Sequence, residues 1–261
     1  MTYSKQQIIN FFKRGVVGGQ NKAKIIANHK KRFNLNDEEI DWIIAGCNFV
    51  LPPKNIDYST FYNNQVCSIA TPIPTSKAQI YTIKNFLTPI DCKLLIGAIQ
   101  ADAKRAHTVS GISKKRTSSL TTLNYRDHDF YLSIDQKLTA LMNIHPYQAE
   151  TIQGQKYEIG EFYKPHWDSF TKSLPDYQDF VEWLGDRTWT SMIYLNDVEE
   201  GGETNFPDLN IKIKPKRGTL LTWNNLNKDG TRNVATKHEA IAPVSGPKYI
   251  ITKWWRSWMP L

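Results

Sequence analysis

From about residue 150 onward the chain reads as a succession of short strands with turn residues between them. Residues 188–195, 211–214, 219–223 and 249–255 are four examples. Glu200-Gly201-Gly202, the stretch 215–218, Lys228-Asp229-Gly230 and the stretch 243–246 separate them. Strands this short and this evenly spaced cannot each own a core, so they close together into a sandwich or barrel of jelly-roll type. Tryptophans concentrate between Trp167 and Trp258, so the C-terminal half should own the main core.

The residues before this region read differently. Residues 6–13 carry Ile8, Ile9, Phe11 and Phe12 at mixed helical spacing, and Gly15, Gly18 and Gly19 are expected to break that helix. Asn36 and Glu39 form a capping-box pattern, with Leu35 and Ile40 as its staple. Ile40, Ile43, Ile44 and Cys47 then line one helical face. The two prolines in the stretch 71–76 predict a linker, which places a boundary near residue 76. The expected organisation is a helical segment over 1–75 and a β-rich domain over 76–261. Within that domain residues 80–86 read as a strand. Thr88-Pro89-Ile90-Asp91 follows as N-cap, proline at the first helical position and acid in the first turn, predicting a helix over 89–105. The fold class is therefore mainly β with flanking helices (α+β).

No stretch reaches the ~20 apolar residues that span a bilayer, and the first residues lack the apolar run of a secretory signal. Cys47, Cys67 and Cys92 share no metal or redox spacing, which suggests buried thiols in a reducing compartment. The cytoplasm is the expected location, with no membrane partner. The formal net charge of +8 raises the question of nucleic acid. A solvated surface, or steering of an acidic protein partner, accounts for it as well.

His166-Trp167-Asp168 is the first candidate for chemistry. In a strand, residues two apart share a face, so the imidazole and the carboxylate project into one space. With one distant His, such a pair makes the facial triad that holds non-haem Fe(II). Alone, a His-x-Asp is close to chance. Its surroundings add to it. Tyr157-Glu158-Ile159-Gly160-Glu161-Phe162-Tyr163-Lys164-Pro165-His166-Trp167-Asp168 resembles the segment that opens the active site of prolyl 4-hydroxylases, members of the Fe(II)/2-oxoglutarate oxygenases. Residues 187–196, Gly201-Gly202-Glu203-Thr204-Asn205-Phe206-Pro207, Pro215-Lys216-Arg217-Gly218, and the end from His238 through Lys248 to Arg256 are similar to the family's later blocks in the same order.

That resemblance covers residues 78 to 258 and implies a double-stranded β-helix (jelly-roll, cupin-like) core. It implies a dioxygenase that binds Fe(II) through His166, Asp168 and His238. The cosubstrates would be 2-oxoglutarate and O2, with ascorbate as an accessory reductant. Lys248, a cation inside the apolar run Tyr249-Ile250-Ile251, would be costly to bury without a partner, and the far carboxylate of 2-oxoglutarate supplies one. A solvent-facing lysine on an edge strand is the plainer alternative. Tyr157 and Thr204 match family positions that donate hydroxyls to that carboxylate. Arg187, Tyr163, Trp254 and Arg116 match positions at or near the substrate. Trp254 is equally accounted for by core packing, and Arg116 by a solvated charge run. Strict alternation puts Tyr163 on the wrong face, unless Pro165 marks a bulge. Residues 169–186 should form a loop over the site. The expected partner is a proline-containing peptide or protein, with a free amino acid as the alternative. The match of Arg187, Gly201-Gly202-Glu203-Thr204 and Trp254 to the family argues against a nucleic-acid demethylase, and a non-enzymatic jelly-roll binding module is the last alternative.

Overall fold

A computed structural model describes residues 3–17, 22–49, 55–105, 107–108, 111–112, 115–170, 177–182 and 184–258. Five helices come first: α1 (Lys5–Val17), α2 (Lys22–Phe33), α3 (Asp37–Cys47) and the single turns α4 (Ser59–Tyr62) and α5 (Val66–Ile69). Strands β1 (Thr71–Pro72) and β2 (Ile80–Ile83), helix α6 (Pro89–Asp102), the short β3 (Lys104–Arg105), β4 (His107–Thr108) and β5 (Gly111–Ile112), then β6 (Ser119–Leu123) and α7 (Asp129–Met142) follow. The last part holds β7 (Ile152–Tyr157), β8 (Tyr163–His166), α8 (Tyr177–Val181), β9 (Arg187–Tyr194), β10 (Thr204–Phe206), β11 (Ile211–Ile213), β12 (Leu220–Asn224), β13 (His238–Ala240) and β14 (Lys248–Arg256).

Two antiparallel sheets form the jelly roll. The larger runs β1-β2-β12-β9-β14-β7-β6-β3 and the smaller β11-β10-β13-β8. The larger sheet has two buried faces. Trp189, Ile193, Ile251 and Trp255 pack toward α6 and α7, together with Leu95, Ile99, Ile134 and Leu138. Tyr157, Met192, Tyr194, Trp223 and Ile250 point the other way, toward Phe206 of the smaller sheet. This second layer encloses the cavity.

Several local expectations change. Gly15 does not end the first helix, which runs on to Val17; an added Cβ there would press on Ile25 Cγ1 at 3.3 Å, so the glycine lets α1 and α2 approach. Gly18 and Gly19 lie outside the described residues. Thr71 and Pro72 are not purely linker: they pair with Thr82 and Tyr81 as an edge strand, where a proline is tolerated. The helix from Pro89 stops at Asp102, because Ala103 turns extended and Lys104–Arg105 joins the sheet. Helix α3 keeps its capping box, Asn36 Oδ1 accepting from Glu39 N and Glu39 Oε2 from Asn36 N, both at 2.9 Å. Helices α1–α3 enclose their own cluster around Phe12, Ile25 and Ile43. Val66 and Ala70, which precede residue 76, pack in the large core. No helix among the described residues is long and apolar enough to cross a membrane.

Candidate active site

His166 ends β8, directly opposite His238 on the neighbouring β13. Asp168 lies beyond the strand, in a bend, rather than two positions along it as strand geometry alone would have it. The bend still turns its carboxylate inward. His166 Nε2 is 3.7 Å from Asp168 Oδ1, and His238 Nε2 is 3.7 Å from Asp168 Oδ2. One ligating atom from each of the three lies within 4.8 Å of the others, the spacing of a metal site.

Each side chain is held from behind. His166 Nδ1 donates to the Lys164 carbonyl at 2.9 Å, and His238 Nδ1 to the Thr236 carbonyl at 3.0 Å. Those bonds fix the tautomer and leave both Nε2 lone pairs facing Asp168. Thr190 donates to Asp168 Oδ2 at 2.6 Å. Burial and the neighbouring His238 pull the His166 pKa down, which favours the neutral ring. Burial alone would raise the Asp168 carboxyl, but His238, His166 and Arg187 hold it below its ordinary value. Two imidazole nitrogens and one carboxylate are the donor set of a divalent first-row cation.

Tyr163 does share the site. On β13, His238 and Ala240 are two residues apart, whereas their partners His166 and Tyr163 on β8 are three apart. That extra residue is a β-bulge and turns Tyr163 onto the face of His166. The two rings stack with centroids 3.6 Å apart at 16°. Arg116 bridges to Tyr163 and stacks over its ring at 4.8 Å, while donating to Ser118 and Gln153. It is thus built into the rim instead of standing in a solvated run.

The cavity behind the triad is lined by Tyr157, Thr204, Lys248, Ile250 and Trp254 among others. Lys248 and Trp254 share strand parity on β14, and both face it. Lys248 is not on an edge: β14 lies between β7 and β9, and the residue is 1% exposed. Its Nζ has no hydrogen-bond partner among the described residues, and burial lowers its pKa to about 7. The Tyr157 and Tyr194 rings flank it at 5.3 and 5.6 Å. Tyr157 donates to Gln155 at 3.0 Å, and Tyr194 donates to the Thr204 hydroxyl at 2.7 Å. An unpaired buried ammonium beside three hydroxyls is a receptacle for a carboxylate.

Arg187 stands at the other side. Glu150 grips its guanidinium with two bonds of 2.7 Å, and the guanidinium lies 4.1 Å over Trp254. Its Nη1 donates to the Asp168 carbonyl at 3.4 Å. Glu150, Tyr194 and Gln155 were not singled out from the sequence. Tyr194 carried a usable signal, as a polar tip on an inward position of the apolar strand 188–195. Glu150 carried none, because its partner lies 37 residues away.

A facial triad in a jelly roll, with a cation at the cavity floor, defines an Fe(II)/2-oxoglutarate oxygenase site. The model of the 2OG-Fe(II) oxygenase superfamily matches residues 152–256. Probable prolyl 4-hydroxylase 10 of Arabidopsis thaliana is 31% identical over 205 residues, covering 69% of this chain and 68% of that protein. Human prolyl 4-hydroxylase subunit alpha-1 is 32% identical over 154 residues, 55% of this chain but 28% of the subunit. The chain thus matches less than a third of the alpha-1 subunits' length. A viral collagen prolyl hydroxylase from Paramecium Bursaria Chlorella virus-1, solved with 2OG, is 29% identical with TM-score 0.54, covering 68% of this chain and 95% of that one. A Trichoplax adhaerens prolyl hydroxylase shares the fold at 17% identity and TM-score 0.53, over 68% of this chain and 83% of that one. The chain belongs to the 2OG-Fe(II) oxygenase superfamily, among its prolyl 4-hydroxylase-like members.

Proposed function

We propose that this chain is an Fe(II)- and 2-oxoglutarate-dependent dioxygenase that hydroxylates a prolyl residue, at the 4-position, in a peptide or protein. The observation that carries the cosubstrate is Lys248, a buried ammonium without a partner in the same cavity as the triad. The relatives' names support the prolyl substrate. Residues 76–261 hold the oxygenase domain in this reading and 1–75 an accessory helical segment that packs into it at Val66 and Ala70. The cytoplasm is the proposed location.

His166, Asp168 and His238 would hold the iron, and Lys248, Thr204 and Tyr157 the 5-carboxylate of 2-oxoglutarate. The bound iron and 2-oxoglutarate would supply the chemistry, coupling decarboxylation of 2-oxoglutarate to succinate and carbon dioxide with reduction of dioxygen, one atom of which would enter a substrate C–H bond. The chain's own contribution is placement. The carbonyls of Lys164 and Thr236 keep both histidines in the ligating tautomer. Thr190 occupies one lone pair of Asp168 and so orients the carboxylate. Tyr163, Trp254, Arg116 and the Glu150-held Arg187 form an aromatic and cationic rim suited to a peptide's ring and carbonyls. Ile250 and Met192 keep the cavity wall apolar, which limits water near the reacting C–H.

The test is incubation of the iron-loaded protein with 2-oxoglutarate and proline-containing peptides, following succinate and a gain of one oxygen atom by mass. Coupled turnover with free amino acids alone would move the substrate to the small-molecule class. His166→Ala should abolish Fe(II) binding and turnover together; unchanged binding would remove that ligand from the assignment.

A further inference from the structure

The chain has 33 basic and 25 acidic residues. Eight of the basic ones, and none of the acidic, lie before Asp37: Lys5, Lys13, Arg14, Lys22, Lys24, Lys30, Lys31 and Arg32. The remaining 225 residues therefore carry 25 of each sign and are neutral. All eight of those cations lie on α1 and α2, while α3 of the same bundle carries Asp37, Glu38, Glu39 and Asp41.

Folding uses part of that arrangement, since Lys22 pairs with Glu182 and Lys30 with Asp37. Basic residues in the last turn of α2, Lys30, Lys31 and Arg32, do suit the helix dipole. Lys5 opens α1 and Lys22 and Lys24 open α2, with no acid in either first turn. Cations at helix starts oppose the dipole and weaken the helix. A local choice that runs against helix stability calls for another use.

The position of the bundle supplies one. Leu184 is buried in the same cluster as Phe12, Ile25 and Ile43. Lys22 Nζ donates to both oxygens of Glu182 at 2.9 Å. Both contacts belong to the connection between Asp168 and Arg187. From that same connection Phe170 and Phe180 stack 4.8 Å apart, and Phe170 lies 5.0 Å under the Arg187 guanidinium, which in turn covers Trp254. The bundle is thus fastened to the chain that packs under the rim, where Arg187 is neutralised by Glu150 and Arg116 stacks over Tyr163.

We propose that α1 and α2 form a cationic docking surface for an acidic stretch of the polypeptide substrate, beside the proline that enters the cavity. This rests on the prolyl reading above. A polypeptide is favoured over a nucleic acid because the bundle is fastened to the connection that packs against Arg187 and Trp254, at the rim assigned above to the peptide. Long-range attraction of this kind acts on capture and is screened by salt.

The experiment uses the full-length, iron-loaded protein and two synthetic proline-containing peptides, one flanked by a run of glutamates and one by serines. At low salt the acidic peptide should show a KM at least about 10-fold lower at equal kcat, and about 0.5 M salt should erase the difference. The double variant K24E/K31E changes two exposed residues outside the bundle core. It should lose the preference while its kcat and KM on the serine peptide stay unchanged. Equal KM values for the two peptides in the unmodified protein, or a preference that survives the variant, would overturn the proposal. So would tighter binding of a single-stranded oligonucleotide than of the acidic peptide, scored by fluorescence anisotropy. If neither peptide is hydroxylated, the prolyl reading fails. Anisotropy of the labelled acidic peptide still decides docking in that case: salt-sensitive binding lost in K24E/K31E supports it and absence of binding ends it.

Discussion

Strand β14 buries two lysines on opposite faces, and they differ in one respect. Lys253, 2% exposed on the α7 side, donates to Asp135 at 2.6 Å and to the Glu150 carbonyl at 3.2 Å. Lys248, 1% exposed on the cavity side, has no such partner among the described residues. Both lose water, and burial lowers both pKa values. Lys253 has a carboxylate in direct contact, whereas Lys248 feels Glu203 without pairing with it among the described residues. A buried cation with an internal partner is part of the architecture, whereas one without is waiting for a ligand of opposite charge.

The largest effect is expected on the architectural side. Lys253→Met should leave Asp135 buried without its cation and cost about 3–5 kcal/mol in urea unfolding. Adding Asp135→Leu should restore much of that loss. A Lys253→Met variant as stable as the parent would erase the distinction between the two faces. On the cavity side, Lys248→Met should leave unliganded stability equal or higher but weaken 2-oxoglutarate by about 2–4 kcal/mol, roughly 30- to 1000-fold in Kd by calorimetry. An unchanged Kd would remove the cosubstrate role from Lys248.

The comparison was half legible in the sequence. Lys248 stands out because a cation precedes an apolar run, Tyr249-Ile250-Ile251, that reads as a strand by its own composition. Lys253 sits in the same strand, but its meaning depends on α7, which local pattern did not reveal. Ile134, Leu138 and Met142 do share a face at helical spacing. Their helix starts from His128, whose ring accepts from Phe130 N at 3.0 Å, in place of the usual Ser, Thr, Asp or Asn cap. Helix α2 escaped for a similar reason, with one fully buried residue and no capping acid. Alternation also failed at β8, where the bulge moves Tyr163 and the bend carries Asp168 off the strand. The jelly roll itself followed from strand spacing, because period and turn chemistry are local. Salt-bridge partners such as Glu150 and Asp135 are not.

The pH dependence separates the two lysines further. The pKa of Lys248 is about 7 in the fold, below the ordinary 10.5 of the open chain. Between those values the unfolded chain binds the extra proton, so stability should rise with pH across that window. The gain attributable to Lys248 between pH 7 and pH 9 is about 2 kcal/mol. It should vanish in Lys248→Met. It should also shrink when saturating 2-oxoglutarate is present, because a carboxylate beside the amine favours its charged form.

The smallest expected effect tests how finely the cavity floor is tuned. Tyr194 donates its hydroxyl to Thr204 Oγ1, which leaves the Thr204 proton free to be donated onward. A carboxylate at Lys248 would accept a hydrogen bond from that hydroxyl, and the Tyr194–Thr204 pair would then act as a chain of hydrogen bonds. Thr204→Val keeps the shape and removes the hydroxyl, leaving Tyr194 with the Ile213 carbonyl at 3.2 Å as its remaining acceptor. The loss of one charge-assisted bond predicts 2-oxoglutarate binding weaker by about 1–2 kcal/mol, with Fe(II) affinity unchanged. If Thr204→Val weakened iron and 2-oxoglutarate equally, the residue would be supporting the sheet under His238 rather than the carboxylate. Ala240, its register partner on β13, lies two residues from His238 and makes that a distinct, measurable outcome.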